Sequence, residues 1–110
     1  MDEKINVKWE TQVKKGILDL IILLLLKKKE KYGYELLEQI REKTGYDMAE
    51  GTIYPLLNRL KDDKLIDSKW VEMETGMPRK YYTITAMGLS ALEKMEAFWN
   101  SLANNIKNLL

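Results

Sequence analysis

The stretch Gly51-Thr52-Ile53-Tyr54-Pro55-Leu56-Leu57-Asn58-Arg59-Leu60-Lys61 decides how this chain is read. Ile53, Leu56, Leu57 and Leu60 recur at helical spacing and form one apolar stripe. Thr52, Tyr54, Asn58, Arg59 and Lys61 remain on the outer side. Side chains of these types contact phosphates and base edges in a DNA major groove. From this helix alone, an ordinary solvated face fits equally well. Pro55 donates no backbone hydrogen bond, which places it at or near the first turn of a helix ending at about Lys64.

Working upstream, a shorter helix is predicted from about Tyr34 to Lys43, with Leu36, Leu37 and Ile40 as its stripe. Thr44-Gly45 ends it, glycine being the usual residue just past a helix C-terminus. Two short helices joined by a brief turn read as helix-turn-helix. Downstream the period changes from 3.6 to 2. Asp67 to Met73 reads as a strand, Glu74-Thr75-Gly76-Met77-Pro78 as a turn, and Arg79 to Thr85 as the return strand. A hairpin in this place is a wing.

The ends of the chain follow the same logic. Residues 1–9 are polar and are expected to fray. A first helix is expected from about Glu10 to Lys28, apolar all round from Ile17 to Leu26. That run is about half the length needed to span a bilayer and is interrupted by Asp19, and lysines rather than a cleavage site follow it. It reads as a buried helix of a cytoplasmic protein, covered only with help from another subunit. A last helix is predicted over 86–110. There Leu92, Met95, Trp99, Leu102, Ile106 and Leu109 are spaced 3, 4, 3, 4 and 3, a dimer seam of heptad type.

The chain has 110 residues, the size of one domain. Its net charge is only +1, so attraction to nucleic acid must come from local clusters of Lys and Arg. It has no cysteine and no histidine, which removes disulfides, the commonest zinc ligands and triad chemistry. No phosphate-cradling glycine loop or calcium loop is present, so an enzyme, a cofactor and a metal site are not expected. The fold class expected is α+β, mostly α: a winged helix-turn-helix over 1–85 and a dimerisation helix over 86–110, in one compact domain.

Four segments together resemble the PadR family of transcriptional regulators. They are Gly16-Ile17-Leu18-Asp19-Leu20, Tyr32-Gly33-Tyr34-Glu35-Leu36, the segment from Gly51 to Leu60 followed by Leu65-Ile66, and Pro78-Arg79-Lys80-Tyr81-Tyr82-Thr83-Ile84-Thr85 closed by Gly88. The single C-terminal helix is similar to the compact branch of that family. The resemblance implies a homodimer that represses transcription from a palindromic operator in double-stranded DNA. Tyr34, Thr52, Tyr54, Asn58, Arg59 and Lys61, with Arg79, Lys80 and Tyr81 of the wing, are then the expected DNA contacts. The competing reading is a winged-helix protein-interaction module that never binds DNA. Lys27, Lys28, Lys29 and Lys31 are read instead as cations suited to a helix C-terminus.

Trp99 matches the position of a tryptophan in multidrug-binding members of the compact branch, which hold planar aromatic compounds between two such rings. The resemblance implies a slot for a planar aromatic effector, formed by Asp19, Leu20, Leu23, Met95 and Trp99. Asp19 would face that slot as its lone charge, or else pair with a nearby lysine. A drug-binding member carries an acid one turn after the tryptophan. This chain has Ala103 there, which argues against a preference for cations.

Overall fold

The structure is a computed structural model and describes residues 3–110. Helix α1 spans Glu3–Gly16 and helix α2 spans Leu18–Lys28. The expectation of a frayed segment over 1–9 therefore fails from Glu3 onward, and residues 1–2 lie outside the described residues. The single helix expected from Glu10 to Lys28 is two helices. The break falls at Ile17, whose φ of −109° and ψ of 8° leave the helical region just after Gly16, a weak helix former.

Helix α2 is the centre of the molecule. Asp19 stands in its first turn and Lys27 and Lys28 in its last, charges that suit the two ends of the helix dipole. Leu18, Ile22, Leu23, Leu25 and Leu26 are buried within the chain itself. The expectation that α2 needs a partner subunit for its cover is thus too strong. Leu20, Ile21 and Leu24 alone keep one side partly open.

A two-residue strand β1, Lys31–Tyr32, leads into helix α3, Gly33–Thr44. Gly45 closes α3 in the left-handed conformation, φ 74°, and its N–H donates to the Arg41 carbonyl at 2.9 Å. Helix α4, Glu50–Asp62, is the second helix of the helix-turn-helix. Ile53, Leu57 and Leu60 point inward and are fully buried. Pro55 sits in the second turn rather than the first. The α4 end is a Schellman turn: Leu65 N–H donates to the Leu60 carbonyl at 3.0 Å and Lys64 N–H to the Lys61 carbonyl at 2.9 Å. Lys64 takes the left-handed position usually given to glycine, with φ 64°.

Strands β2, Ile66–Val71, and β3, Arg79–Ile84, pair antiparallel, with Ile66 opposite Ile84 and Val71 opposite Arg79. The short β1 pairs on the other side of β3, so the sheet order is β1-β3-β2. This third strand was not expected from the sequence. Helix α5, Ala86–Leu109, is 24 residues and about 36 Å long. Its first part packs on α2, where Leu92 is buried in the core of its own chain. The fold is the expected winged helix-turn-helix, mostly helical with a small antiparallel sheet. Among the described residues no helix is long and apolar enough to cross a membrane.

The joint between α4 and α5 is tight. Thr85 caps α5, accepting from Gly88 N–H at 2.9 Å and donating its hydroxyl to the Lys64 carbonyl at 2.7 Å. A Cβ added at Gly88 would lie 2.0 Å from the Leu65 carbonyl oxygen, which is backbone and cannot step aside. Gly88→Ala should destabilise the protein by about 3 kcal/mol or more. Gly51→Ala, in open space on a helix, should change stability by about 1 kcal/mol or less, and in the opposite direction. Urea unfolding at one fixed protein concentration separates the two.

Candidate nucleic-acid interface

The outer face of α4 divides in two. Thr52, Tyr54 and Asn58 are exposed, and no hydrogen bond or ion pair ties their side chains to the rest of the chain among the described residues. Arg59 and Lys61 are engaged. The Arg59 guanidinium donates to Asp19 Oδ1 at 2.6 Å and lies 3.9 Å from Asp63 Oδ2. Asp19, through this bond and its charge, raises the Arg59 pKa above the ordinary value. Lys61 Nζ donates to Ser68 Oγ of β2 at 2.7 Å. Arg59 thus reaches back to α2 and Lys61 across to the sheet.

Asp19 does not face the expected aromatic slot; it is turned toward α4 by Arg59. The reason is chemical: a half-exposed carboxylate gains more from a guanidinium than from an apolar groove. Its partner is an arginine 40 positions away rather than a neighbouring lysine.

Tyr54 is seated by Gly33. A Cβ at Gly33 would fall 2.6 Å from the Tyr54 ring, so only glycine lets the ring lie against the first turn of α3. Tyr34, also exposed, is occupied with Glu38. The hydrogen bond to that carboxylate, and its charge, push the Tyr34 hydroxyl above its ordinary pKa.

On the wing the cations rest on aromatic rings. The Arg79 guanidinium carbon is 4.4 Å from the Tyr32 ring centroid. Lys80 Nζ is 5.8 Å from the Trp70 ring and 6.0 Å from the Tyr82 ring. Tyr81 meets Tyr32 edge to face, with centroids 5.5 Å apart. Cation–π contacts of this kind orient the charge without neutralising it. Neither Glu72 nor Glu74 forms an ion pair with Arg79 or Lys80 among the described residues.

Between wing and α4 lies a cleft of about 460 Å³, walled by Tyr54 and Asn58 on one side and Trp70, Arg79 and Lys80 on the other, with Tyr32, Gly33, Pro78 and Tyr82 completing it. It holds two cations and no carboxylate. Sequence reasoning missed Tyr32 and Trp70. Their signal was present as aromatic residues beside a basic turn, but a pairing partner was needed to place them.

A second hollow, of about 470 Å³, lies between α1, α2 and α5 and is almost wholly apolar. It brings together Leu20, Met95 and Trp99, as expected, and adds Val13, Ile17, Phe98 and Leu102. Leu23 is not part of it, being fully buried in the core. Leu92 likewise belongs to the core, whereas Leu102, Ile106 and Leu109 stand exposed along α5. Phe98 is 70% exposed and escaped the heptad reading because it stands beside the seam. Among the described residues no cluster of three or more acidic, His or Cys side chains offers a metal site.

The sequence profile of the "Transcriptional regulator PadR-like family" matches residues 22–94, from the middle of α2 into α5. The chain belongs to the PadR-like family of transcriptional regulators. Its fold is similar to that of a PadR-like transcriptional regulator from Bacillus cereus strain ATCC 14579, at 38% identity and a TM-score of 0.81, covering 89% of this chain and 95% of that one. A PadR family transcriptional regulator from Eggerthella lenta DSM 2243 gives a TM-score of 0.88 at 31% identity, covering 97% of this chain and 93% of that one. The negative transcriptional regulator PadR of Bacillus subtilis strain 168 is 32% identical over 78 residues, 69% of this chain and 43% of that protein. The structure of Bacillus subtilis PadR in complex with operator DNA matches at a TM-score of 0.66 and 31% identity, over 72% of this chain and 46% of that one. This chain therefore spans less than half the length of the Bacillus subtilis protein.

Tyr82, at the floor of the cleft, supplies a pH test. Burial, and secondarily Tyr54, push its hydroxyl above the ordinary value near 10. On raising the pH the unfolded chain releases this proton first, so the folded state loses stability from about that value upward. Unfolding free energies measured between about pH 8 and about pH 11 should fall. In Tyr82→Phe the fall should be shallower.

Proposed function

We propose that this protein is a cytoplasmic homodimeric repressor that binds a palindromic operator in double-stranded DNA. A planar aromatic ligand held between the subunits would release it. The DNA reading is carried by one observation: Tyr54 and Asn58 of α4 and the ring-seated Arg79 and Lys80 of the wing line one cleft that has no carboxylate in its walls. Support comes from the likeness to Bacillus subtilis PadR, whose structure is a complex with operator DNA and whose name is that of a negative regulator. In this reading Thr52, Tyr54 and Asn58 enter the major groove while Arg79 and Lys80 meet flanking phosphates. Arg59 and Lys61 chiefly hold α4 to α2 and to the sheet, and Tyr34 and Tyr81 sit at the margins of the surface.

Residues 86–110 serve as the dimerisation helix. Leu102, Ile106 and Leu109 continue the seam beyond the part of α5 that the chain covers for itself, and an exposed apolar row at heptad spacing calls for a second copy. Two-fold symmetry in the protein then requires two half-sites, about one helical turn apart or a multiple of it. The ligand would lie in the apolar hollow against Leu20, Met95 and Trp99, with Phe98 as an added wall. Because Asp19 is held by Arg59, the slot carries no acid from α2. Lys94 is the charged residue in its lining, and Glu96 lines the adjoining hollow that shares Leu20 and Trp99.

Selection from random duplex DNA should recover an inverted repeat. Asn58→Ala should weaken binding to it by about 1–3 kcal/mol while changing non-specific binding little. The Arg79→Ala/Lys80→Ala double variant should weaken both and reduce the salt slope by about two ions. Salt-insensitive behaviour, or no binding to any duplex, would leave a protein-interaction module as the better reading.

Light scattering on dilute wild type should give a dimer. Leu102→Lys should dissociate or unfold it, because a lysine there would be buried without a counter-charge. In calorimetry against a panel of planar aromatics, Trp99→Ala should lose most of the wild-type affinity, and cationic and neutral compounds should bind alike. Equal binding by Trp99→Ala would move the ligand site elsewhere.

A further inference from the structure

Trp70 is 69% exposed, although it lies on the face of β2 that begins at the buried Ile66. Side chains alternate along a strand, so Ile66, Ser68 and Trp70 share one face of the sheet. That face is core at Ile66, meets α4 through the Lys61–Ser68 hydrogen bond, and runs out past α4 at Trp70. Among the described residues the indole is left largely uncovered. Its register partner on β3 is Lys80, whose ammonium lies over the same ring.

We propose that Trp70 is a DNA-contacting residue, its indole packing on the deoxyribose of a nucleotide flanking the half-site and holding the Lys80 ammonium against the adjoining phosphate. The proposal rests on the reading of α4 and the wing as the DNA surface. Three observations favour duplex DNA over a second copy of the chain as the occupant. The cleft that Trp70 overhangs has Arg79 and Lys80 but no carboxylate, which suits a polyanion. Asn58 and Tyr54, both free, stand across the same cleft, so one ligand can touch α4 and the indole together. The apolar hollow at α1 and α5, by contrast, has the near-neutral lining that suits a copy of the chain. An indole also matches a sugar–phosphate strand chemically. It offers a flat hydrocarbon face for the sugar and one N–H donor for an oxygen.

The contact is to backbone, so it should act on any duplex and bear on affinity rather than on sequence choice. Trp70→Ala should therefore weaken binding to a labelled mixed-sequence duplex and to a selected inverted repeat by a similar factor, about tenfold, which is about 1.4 kcal/mol. The salt slope should stay close to that of wild type, since no cation is removed, whereas Lys80→Ala should lower it by about one ion. Anisotropy titrations measure all of these. Fluorescence gives an independent readout. The chain also emits from Trp9 and Trp99, so the change on adding duplex is compared between wild type and Trp70→Phe. The difference isolates Trp70 and should show quenching and reduced access to acrylamide.

Wild type that binds duplex while Trp70→Ala binds equally well, with no difference signal from Trp70, overturns the proposal and leaves the DNA reading standing. Wild type that binds no duplex overturns both. A Trp70 signal that changes on diluting the protein without DNA assigns the indole to contact between copies and also overturns it. Circular dichroism of Trp70→Ala should match wild type, because the side chain removed is not part of the core.

Discussion

The burial of α2 is the constraint on which the rest of the structure depends. A helix that is apolar on nearly every side has to be enclosed, and α3, β3 and the first half of α5 are laid against it. Ile22 and Leu23 have no exposed surface left. That enclosure sets the position of the helix-turn-helix relative to α5, since both pack on the same short rod. It also leaves a remainder. Ile17, Leu20, Ile21 and Leu24 are only partly covered, and they line one hollow with Trp99.

One turn of α2 accordingly faces two ways. Leu20 lines the apolar hollow, while its neighbour Asp19 accepts the hydrogen bond from Arg59 of α4. The pair is substantially exposed, so its contribution to stability is small, about 1 kcal/mol or less. Its value is positional: it ties α4 to the helix that borders the apolar hollow. In the proposed function, a ligand in the hollow would alter DNA affinity only by binding differently to two arrangements of these helices. On the other flank, Lys61 fastens α4 to β2 and Thr85 fastens α5 to the end of α4.

The wing shows how a chain with almost no net charge can still present a cationic surface. Arg79 and Lys80 lie on Tyr32, Trp70 and Tyr82. Rings hold the cations in place without cancelling them, as carboxylates would. Among the described residues the acids in ion pairs are Asp19 and Asp63 near Arg59 and Glu30 on Lys69, and none of them is on Arg79 or Lys80. Local arrangement rather than composition makes this face attractive to a polyanion.

Much of the architecture was legible in the sequence, because helices and strands write their periods locally. The change from period 3.6 to 2 after α4 located the wing, Gly45 marked the end of α3, and the four segments around Gly16, Gly33, Gly51 and Arg79 identified the family. The elements that were missed carry little local signal. Strand β1 is two residues long and exists only because β3 pairs with it. The break at Ile17 interrupts a run that reads as continuous helix. An all-apolar helix has no periodic face, so sequence could not say that Leu23 points into the core while Leu20 points to the groove. Leu92 fits the heptad spacing as well as Trp99 does, yet only the packing of α5 on α2 assigns one to the core and leaves the other open. The Asp19–Arg59 pair joins residues 40 positions apart. By itself the sequence determined the elements, their order and the family, since these follow from short-range backbone preferences and side-chain spacing. Which side chains meet was decided only by the tertiary structure, because close packing, charge pairing and burial act between parts of the chain that sequence keeps far apart.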